Sequence, residues 1–258
     1  MREAFLAVPR HSFIPDTARE RGLRAAYTDE AVPTRTDAYG MALSSCSQPG
    51  IVAQMLELLD LHTGQRVLEI GAGTGYNAAL LSVLAGGRGR VISVDIDRQT
   101  ASQARRALSA VGARARVIAG DGREGWAPEA PYDRIIATAS SDHVPRPWFD
   151  QLVEGGILVM PLRVTDALPF PQVVAALVKE RDGFRSREVV PGGFMRLRDP
   201  GDDVSLPWPQ ISAVDESGGK RTSLAILSGS PLASLDSRAR CRLLRRPSVS
   251  AAGGLAGC

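Results

Sequence analysis

The chain has only three cysteines in 258 residues, Cys46, Cys241 and Cys258, and only three histidines, His11, His62 and His143. They form no CxxC pair and no His/Cys cluster, which speaks against a structural zinc site and a disulfide scaffold. No metal is expected. Lysine is nearly missing as well: of 31 Lys and Arg residues only Lys179 and Lys220 are lysines, leaving 29 arginines. Aromatic residues are 5% of the chain, and no basic stripe interleaved with aromatics marks a nucleic-acid surface. The pI of about 9.0 therefore names no nucleic-acid partner. Long apolar runs are missing too, none approaching the roughly 18 residues of a membrane span. The opening MREAFLAVPRH is interrupted at once by Pro9, Arg10 and His11, unlike a signal peptide. A cytoplasmic protein without membrane association is the expectation. What remains, 44% apolar and 23% charged residues, fits a soluble globular chain long enough to bury its own core.

Residues 1–45 mix short helical pieces with Pro9, Pro15 and Pro33 and read as an N-terminal arm. Gln48 to Leu59 carries apolar residues at Ile51, Val52, Met55, Leu56 and Leu59, one face of a helix, with Ser47 and Pro49 suited to its start. Strands are expected at Arg66–Ile70, Arg90–Val94, Ala115–Ala119, Tyr132–Thr138 and Gly156–Leu162. Helices are expected at Tyr76–Leu84, Thr100–Val111 and Arg146–Leu152. This alternation predicts a doubly wound, Rossmann-like α/β fold with a mostly parallel sheet. Two further strands, Val173–Lys179 and Phe184–Val190, flank Asp182-Gly183 and form an antiparallel hairpin at the C-terminal side. The main α/β domain is placed at 46–200. Residues 201–258 form an extension, with one hairpin around Gly218-Gly219 and a Ser/Arg/Ala/Gly-rich end expected to be partly disordered.

The chemistry concentrates at Glu69-Ile70-Gly71-Ala72-Gly73-Thr74-Gly75, which joins a strand to a helix. Glycines serve where a backbone turns sharply and a ligand must come close to it. An ordinary tight turn would also use them. Two more strand ends add ligand-type residues, however. Asp95, 24 residues after Gly71, suits the two hydroxyls of a ribose, and Asp121-Gly122 brackets the place of an adenine. The spacing is G-x-G-x-G rather than the G-x-G-x-x-G of dinucleotide folds. Glu69 just before it disfavours a pyrophosphate and suits a cationic ligand such as S-adenosylmethionine.

Beyond this turn the sequence resembles the protein-L-isoaspartate O-methyltransferase family. The resemblance rests on Val8-Pro9-Arg10-His11-Ser12-Phe13-Ile14-Pro15, on Ser47-Gln48-Pro49 and on the run Arg66 to Leu80. Gly120-Asp121-Gly122, Ala130 to Ile136 and Gln151 to Gly156 add to it, so that it covers roughly residues 1 to 200. It implies transfer of a methyl group from S-adenosyl-L-methionine to the α-carboxylate of an L-isoaspartyl residue in a protein or peptide. The ester then closes to a succinimide, and hydrolysis restores some aspartate. It makes Ser47 the catalytic serine, with a helix N-cap as its plainer alternative. Ser45, Cys46, Gly71, Gly73, Asp95, Ile96, Asp121 and Gly122 become cofactor contacts, and Glu69 and Gly75 complete the set from the turn itself.

Cys46 has no matched histidine and reads as a pocket-lining residue rather than a nucleophile. His143 reads as a solvated loop histidine, and Trp126 and Trp148 as packing residues. No G-x-S-x-G elbow marks a hydrolase. The sequence departs from the family at Ser45-Cys46-Ser47 and at Gly193-Phe194-Met195-Arg196-Leu197-Arg198. The second departure is more similar to a bacterial branch that methylates a specific aspartate of a lanthipeptide or an ATP-grasp-made peptide, giving aspartimide or isoaspartate. Repair and peptide tailoring both stay open here, and a nucleotide-binding module without catalysis is the third reading.

Overall fold

The computed structural model describes residues 1–37, 40, 42–163 and 172–198. A seven-stranded sheet carries the molecule, in the order β5-β4-β3-β6-β7-β8-β9. The strands are β3 Arg66–Ile70, β4 Arg90–Asp95, β5 Ala115–Ala119, β6 Tyr132–Ala137, β7 Leu152–Arg163, β8 Gln172–Glu180 and β9 Gly183–Pro191. Strands β5, β4, β3, β6 and β7 run parallel, and β8 and β9 are antiparallel additions. A mostly parallel sheet with a C-terminal antiparallel hairpin is what the pattern of elements predicts.

Alternation along β3 decides which side chain faces which layer. Val67 joins one apolar cluster with α3 (Pro49–Leu59), α4 (Tyr76–Ala85) and α5 (Arg98–Ala110), whereas Leu68 and Ile70 join the other with α6 (Arg146–Gln151). Strands buried on both faces need near-continuous apolar runs, which is why RVLEI and RVISV read so clearly. At 25–30 cal/mol per Å² removed from water, a fully buried Leu or Ile such as Leu68 or Ile70 contributes about 2 kcal/mol.

The arm holds α1 (Arg2–Ala7), α2 (Pro15–Arg21) and two short 3-10 turns, then a small antiparallel sheet of β1 (Val32–Thr36) and β2 (Ala42–Cys46). That sheet was invisible in the sequence, because VPTRT and ALSSC show no apolar alternation and Pro33 suits only an edge strand. Ala4, Val8, Phe13 and Ile14 of the arm are buried in the same cluster as α3 and α4.

Element ends differ in instructive ways. Helix α5 begins at Arg98 rather than Thr100, because the Asp97 side chain caps it by accepting the Thr100 amide at 2.6 Å. Strand β7 starts at Leu152, ahead of the expected Gly156, and accommodates a register shift beside Gly155, whose φ is 74°. The β8–β9 turn consists of Arg181-Asp182, one residue earlier than Asp182-Gly183. Among the described residues no helix is long and apolar enough to cross a membrane. The expectations for residues 201–258 lie outside the described residues.

Candidate active site

The carboxyl ends of β3, β4 and β6 open into a cleft of about 610 Å³, where open α/β sheets place their ligands. One wall is the glycine turn. Gly71 has φ 96°, and a Cβ there would sit 2.5 Å from the Thr138 hydroxyl. Thr138, at the end of β6, donates to the Gly71 carbonyl at 2.8 Å and clamps the turn from behind. Gly73 has φ 52° and faces the Ser45 carbonyl, 3.4 Å from where its Cβ would be. The turn therefore needs glycine for conformation at both positions and for close approach at Gly71.

Asp95 closes β4 and is 8% exposed. Its Oδ2 accepts the Gly73 amide and its Oδ1 the Asp97 amide, each at 3.0 Å. Burial pushes its carboxyl up, and these two amides and the charge of Arg198 oppose the rise. Ile96 and Gly122 line the same cleft.

Ser47 lines the same cleft just after β2, as does Ser45 within that strand. It is not the cap of α3. The cap position is Gln48, and the first-turn amide of Gly50 is taken by Asp29 Oδ1 at 2.7 Å. Gln48 donates to the other Asp29 oxygen at 3.0 Å, the main reason the Asp29 carboxyl is held below its ordinary range. Among the described residues the Ser47 hydroxyl has no hydrogen-bond partner. Its carbonyl, in contrast, is fixed by Arg10. That arginine is 1% exposed, and its guanidinium donates to the carbonyls of Ala26 at 2.6 Å, Thr28 at 3.4 Å, Glu30 at 2.9 Å and Ser47 at 3.1 Å. One buried cation thus ties the arm to the serine.

Seven expected site residues line the cleft: Ser45, Ser47, Gly71, Gly73, Asp95, Ile96 and Gly122. Four do not. Cys46 alternates with Ser45 and Ser47 along an extended chain, so its side chain points into the core, 1% exposed. Burial pushes its thiol up, which leaves little thiolate and no nucleophile. Gly75 serves packing, since a Cβ there would meet Ala104 and Leu108 of α5 at 3.3 Å. Asp121 is engaged by Arg123 at 2.9 Å, contacts that overcome burial and hold its carboxyl low. Glu69 lies behind the turn, fully buried, accepting from Ser93 of β4 and from Asn77 Nδ2 at 2.8 Å.

Burial raises the Glu69 carboxyl to about 7 from its usual 4.5, against the lowering effect of Ser93 and Asn77. Folding thus favours the protonated form, and the sign follows. Stability is fullest below about pH 4.5 and is lost as pH rises through about 7, by on the order of 3 kcal/mol. Glu69→Gln, neutral and of the same shape, is expected to flatten this slope in denaturation midpoints measured from about pH 4 to about pH 8. An unchanged slope would assign the pH dependence to other groups.

Sequence reasoning gave Asn77, Thr138 and Arg10 no role of their own and read residues 193–198 only as a departure from the family. Asn77 lines the cleft, and with its amide nitrogen given to Glu69 its buried Oδ1 has no partner among the described residues. Residues 193–198 cross the cleft after β9, far in sequence from any motif. His143 is half-buried and does not line the cleft, and Trp148 is fully buried with its Nε1 donating to the Gly122 carbonyl at 2.8 Å.

Comparison with known proteins agrees with this geometry. A protein-L-isoaspartate O-methyltransferase 1 of Archaeoglobus fulgidus is 45% identical over 163 residues, 63% of this chain and 71% of that protein. A protein-L-isoaspartate O-methyltransferase of Ignicoccus hospitalis is 36% identical over 196 residues, covering 76% of this chain and 87% of its own. A solved protein-L-isoaspartate O-methyltransferase matches with TM-score 0.69 and 33% identity, over 76% of this chain and 60% of that one. A Plasmodium falciparum structure described as such an enzyme, in complex with S-adenosyl-L-homocysteine, shares the fold at TM-score 0.60 and 20% identity, covering 76% of this chain and 88% of that one. The model of the protein-L-isoaspartate(D-aspartate) O-methyltransferase family matches residues 1–193, and the chain belongs to that family.

Proposed function

We propose that the protein is an S-adenosylmethionine-dependent carboxyl O-methyltransferase acting on L-isoaspartyl residues of proteins or peptides. The observation that carries this reading is the cleft itself. A glycine cradle, Asp95 and an unengaged Ser47 hydroxyl line it together, and among the described residues no base or nucleophile is poised between them. Family membership supplies the substrate class.

The residues suit the cofactor. Gly71 and Gly73 leave room where side chains would intrude, Asp95 would accept from ribose hydroxyls, and Asn77, which lines the cleft, would stand by the cationic amino end. Glu69 acts through Asn77 rather than by contact. Bound S-adenosylmethionine supplies an electrophilic sulfonium methyl. A carboxylate is ionised at neutral pH, so the chain has to orient it and keep water away rather than remove a proton. Ser47 donates its hydroxyl proton in a hydrogen bond to one carboxylate oxygen and leaves the other facing the methyl. Arg10 fixes the backbone from which Ser47 does so. The peptide methyl ester then closes to a succinimide as the following backbone nitrogen attacks and methanol leaves.

Ser47→Ala is expected to lower turnover about thirtyfold, the worth of one hydrogen bond to a charged group, with S-adenosylhomocysteine affinity retained. Full activity would demote Ser47 to a wall residue. The proposed reaction is tested by mass spectrometry of an isoaspartyl peptide incubated with enzyme and S-adenosylmethionine. The methyl ester and then the succinimide are expected in sequence. A methylated product that never loses methanol would place the methyl elsewhere than on the α-carboxylate.

A further inference from the structure

We propose that Arg196 and Arg198 form a cationic rim that selects isoaspartyl peptides carrying a second carboxylate next to the methyl-accepting residue. The inference rests on the activity proposed above and concerns which substrates it favours.

The segment that bears both arginines is pinned across the cleft. Phe194 exchanges hydrogen bonds with the Gln172 side chain, donating its amide at 2.8 Å and accepting at 3.1 Å. The Ser140 amide donates to the Met195 carbonyl, and the Leu197 amide donates to the Ser140 carbonyl, both at 2.8 Å. Between the two arginines, Leu197 packs into the apolar cluster on the α6 side, where its Cδ1 lies against Gly122. With Leu197 anchored in that cluster, the segment is held at the cleft, and Arg196, exposed, and Arg198, half-buried, both line it.

Among the described residues, charge accounting around the cleft leaves these two cations over. The nearby carboxylates are already engaged: Glu69 by Ser93 and Asn77, Asp95 by two backbone amides, Asp97 by Arg35 and Asp121 by Arg123. Neither Arg196 nor Arg198 has a hydrogen-bond or ion-pair partner among the described residues. Arg198 lines the cleft, and its charge acts on the Asp95 carboxyl. Guanidinium groups present a planar fork of donors that matches carboxylates. An isoaspartyl unit brings one carboxylate, which must face the methyl. A carboxylate on the adjacent residue lies only about 3.5 Å further along the peptide, within the span of these side chains. Rim charges of this kind set the choice among partners more than overall affinity.

The test is steady-state methyl transfer from S-adenosylmethionine to three isoaspartyl peptides, identical except for Glu, Gln or Lys beside the isoaspartate. The expected order of KM is Glu lowest and Lys highest, with Glu and Gln separated by about fivefold and kcat nearly common to all. In the double variant R196Q/R198Q the three KM values converge. Ratios within one variant cancel any loss of folded enzyme. Equal KM values in the unmodified enzyme, or a ranking that persists in the variant, overturn the inference while leaving the activity intact. Transfer to none of the three overturns the activity and this inference together.

Discussion

Replacing Arg10 by alanine is expected to lower stability by roughly 4 kcal/mol, because it strips donors from a buried network and leaves carbonyl oxygens unpaired. The guanidinium serves Ala26, Thr28, Glu30 and Ser47, residues that come together only in the folded arm. No single water or shorter side chain spans those acceptors. Arg10→Lys keeps the charge but presents a compact ammonium in place of a fork, so it is expected to recover part of the stability and less of the turnover. Chemical denaturation and kcat on an isoaspartyl peptide read the two effects separately. A stability loss below about 1 kcal/mol, the worth of one ordinary hydrogen bond, would mean the arm is held by its apolar contacts alone.

Asp95→Ala is expected to weaken S-adenosylhomocysteine binding by two to three orders of magnitude, roughly 3–4 kcal/mol. Two losses combine here. The ribose loses its acceptor, and the Gly73 and Asp97 amides lose the carboxylate that shapes the glycine turn and the start of α5. Asp95→Asn, which retains an acceptor oxygen, is expected to fall between. Calorimetric titration measures both, and an unchanged dissociation constant in Asp95→Ala would remove Asp95 from the site.

The central strands were legible because burial on both faces leaves long apolar runs, and β3 and β5 fall within the expected bounds to the residue. The cleft was legible to the extent that it is made of strand ends: Gly71 and Gly73 come just after β3, Asp95 closes β4, and Gly122 comes soon after β5. What was not legible depends on tertiary contact. Cys46 and Ser47 are neighbours in sequence but point apart, and nothing local says which enters the cleft. Gly75 carries the same motif signal as Gly73, yet only its distance to Ala104 shows that it serves helix packing. The cap of α3 comes from Asp29, 21 residues before the amide it accepts. Residues 193–198 reach the cleft because β9 returns them there, and their sequence, though it stands out as a departure from the family, does not say where they lie.

The most direct test of the account is methyl transfer from labelled S-adenosylmethionine to two peptides identical except for L-isoaspartate in one and L-aspartate in the other. The account predicts label in the isoaspartyl peptide alone, released with time as the ester closes to succinimide. Label in the aspartyl peptide, or in neither while S-adenosylhomocysteine binds, would contradict it.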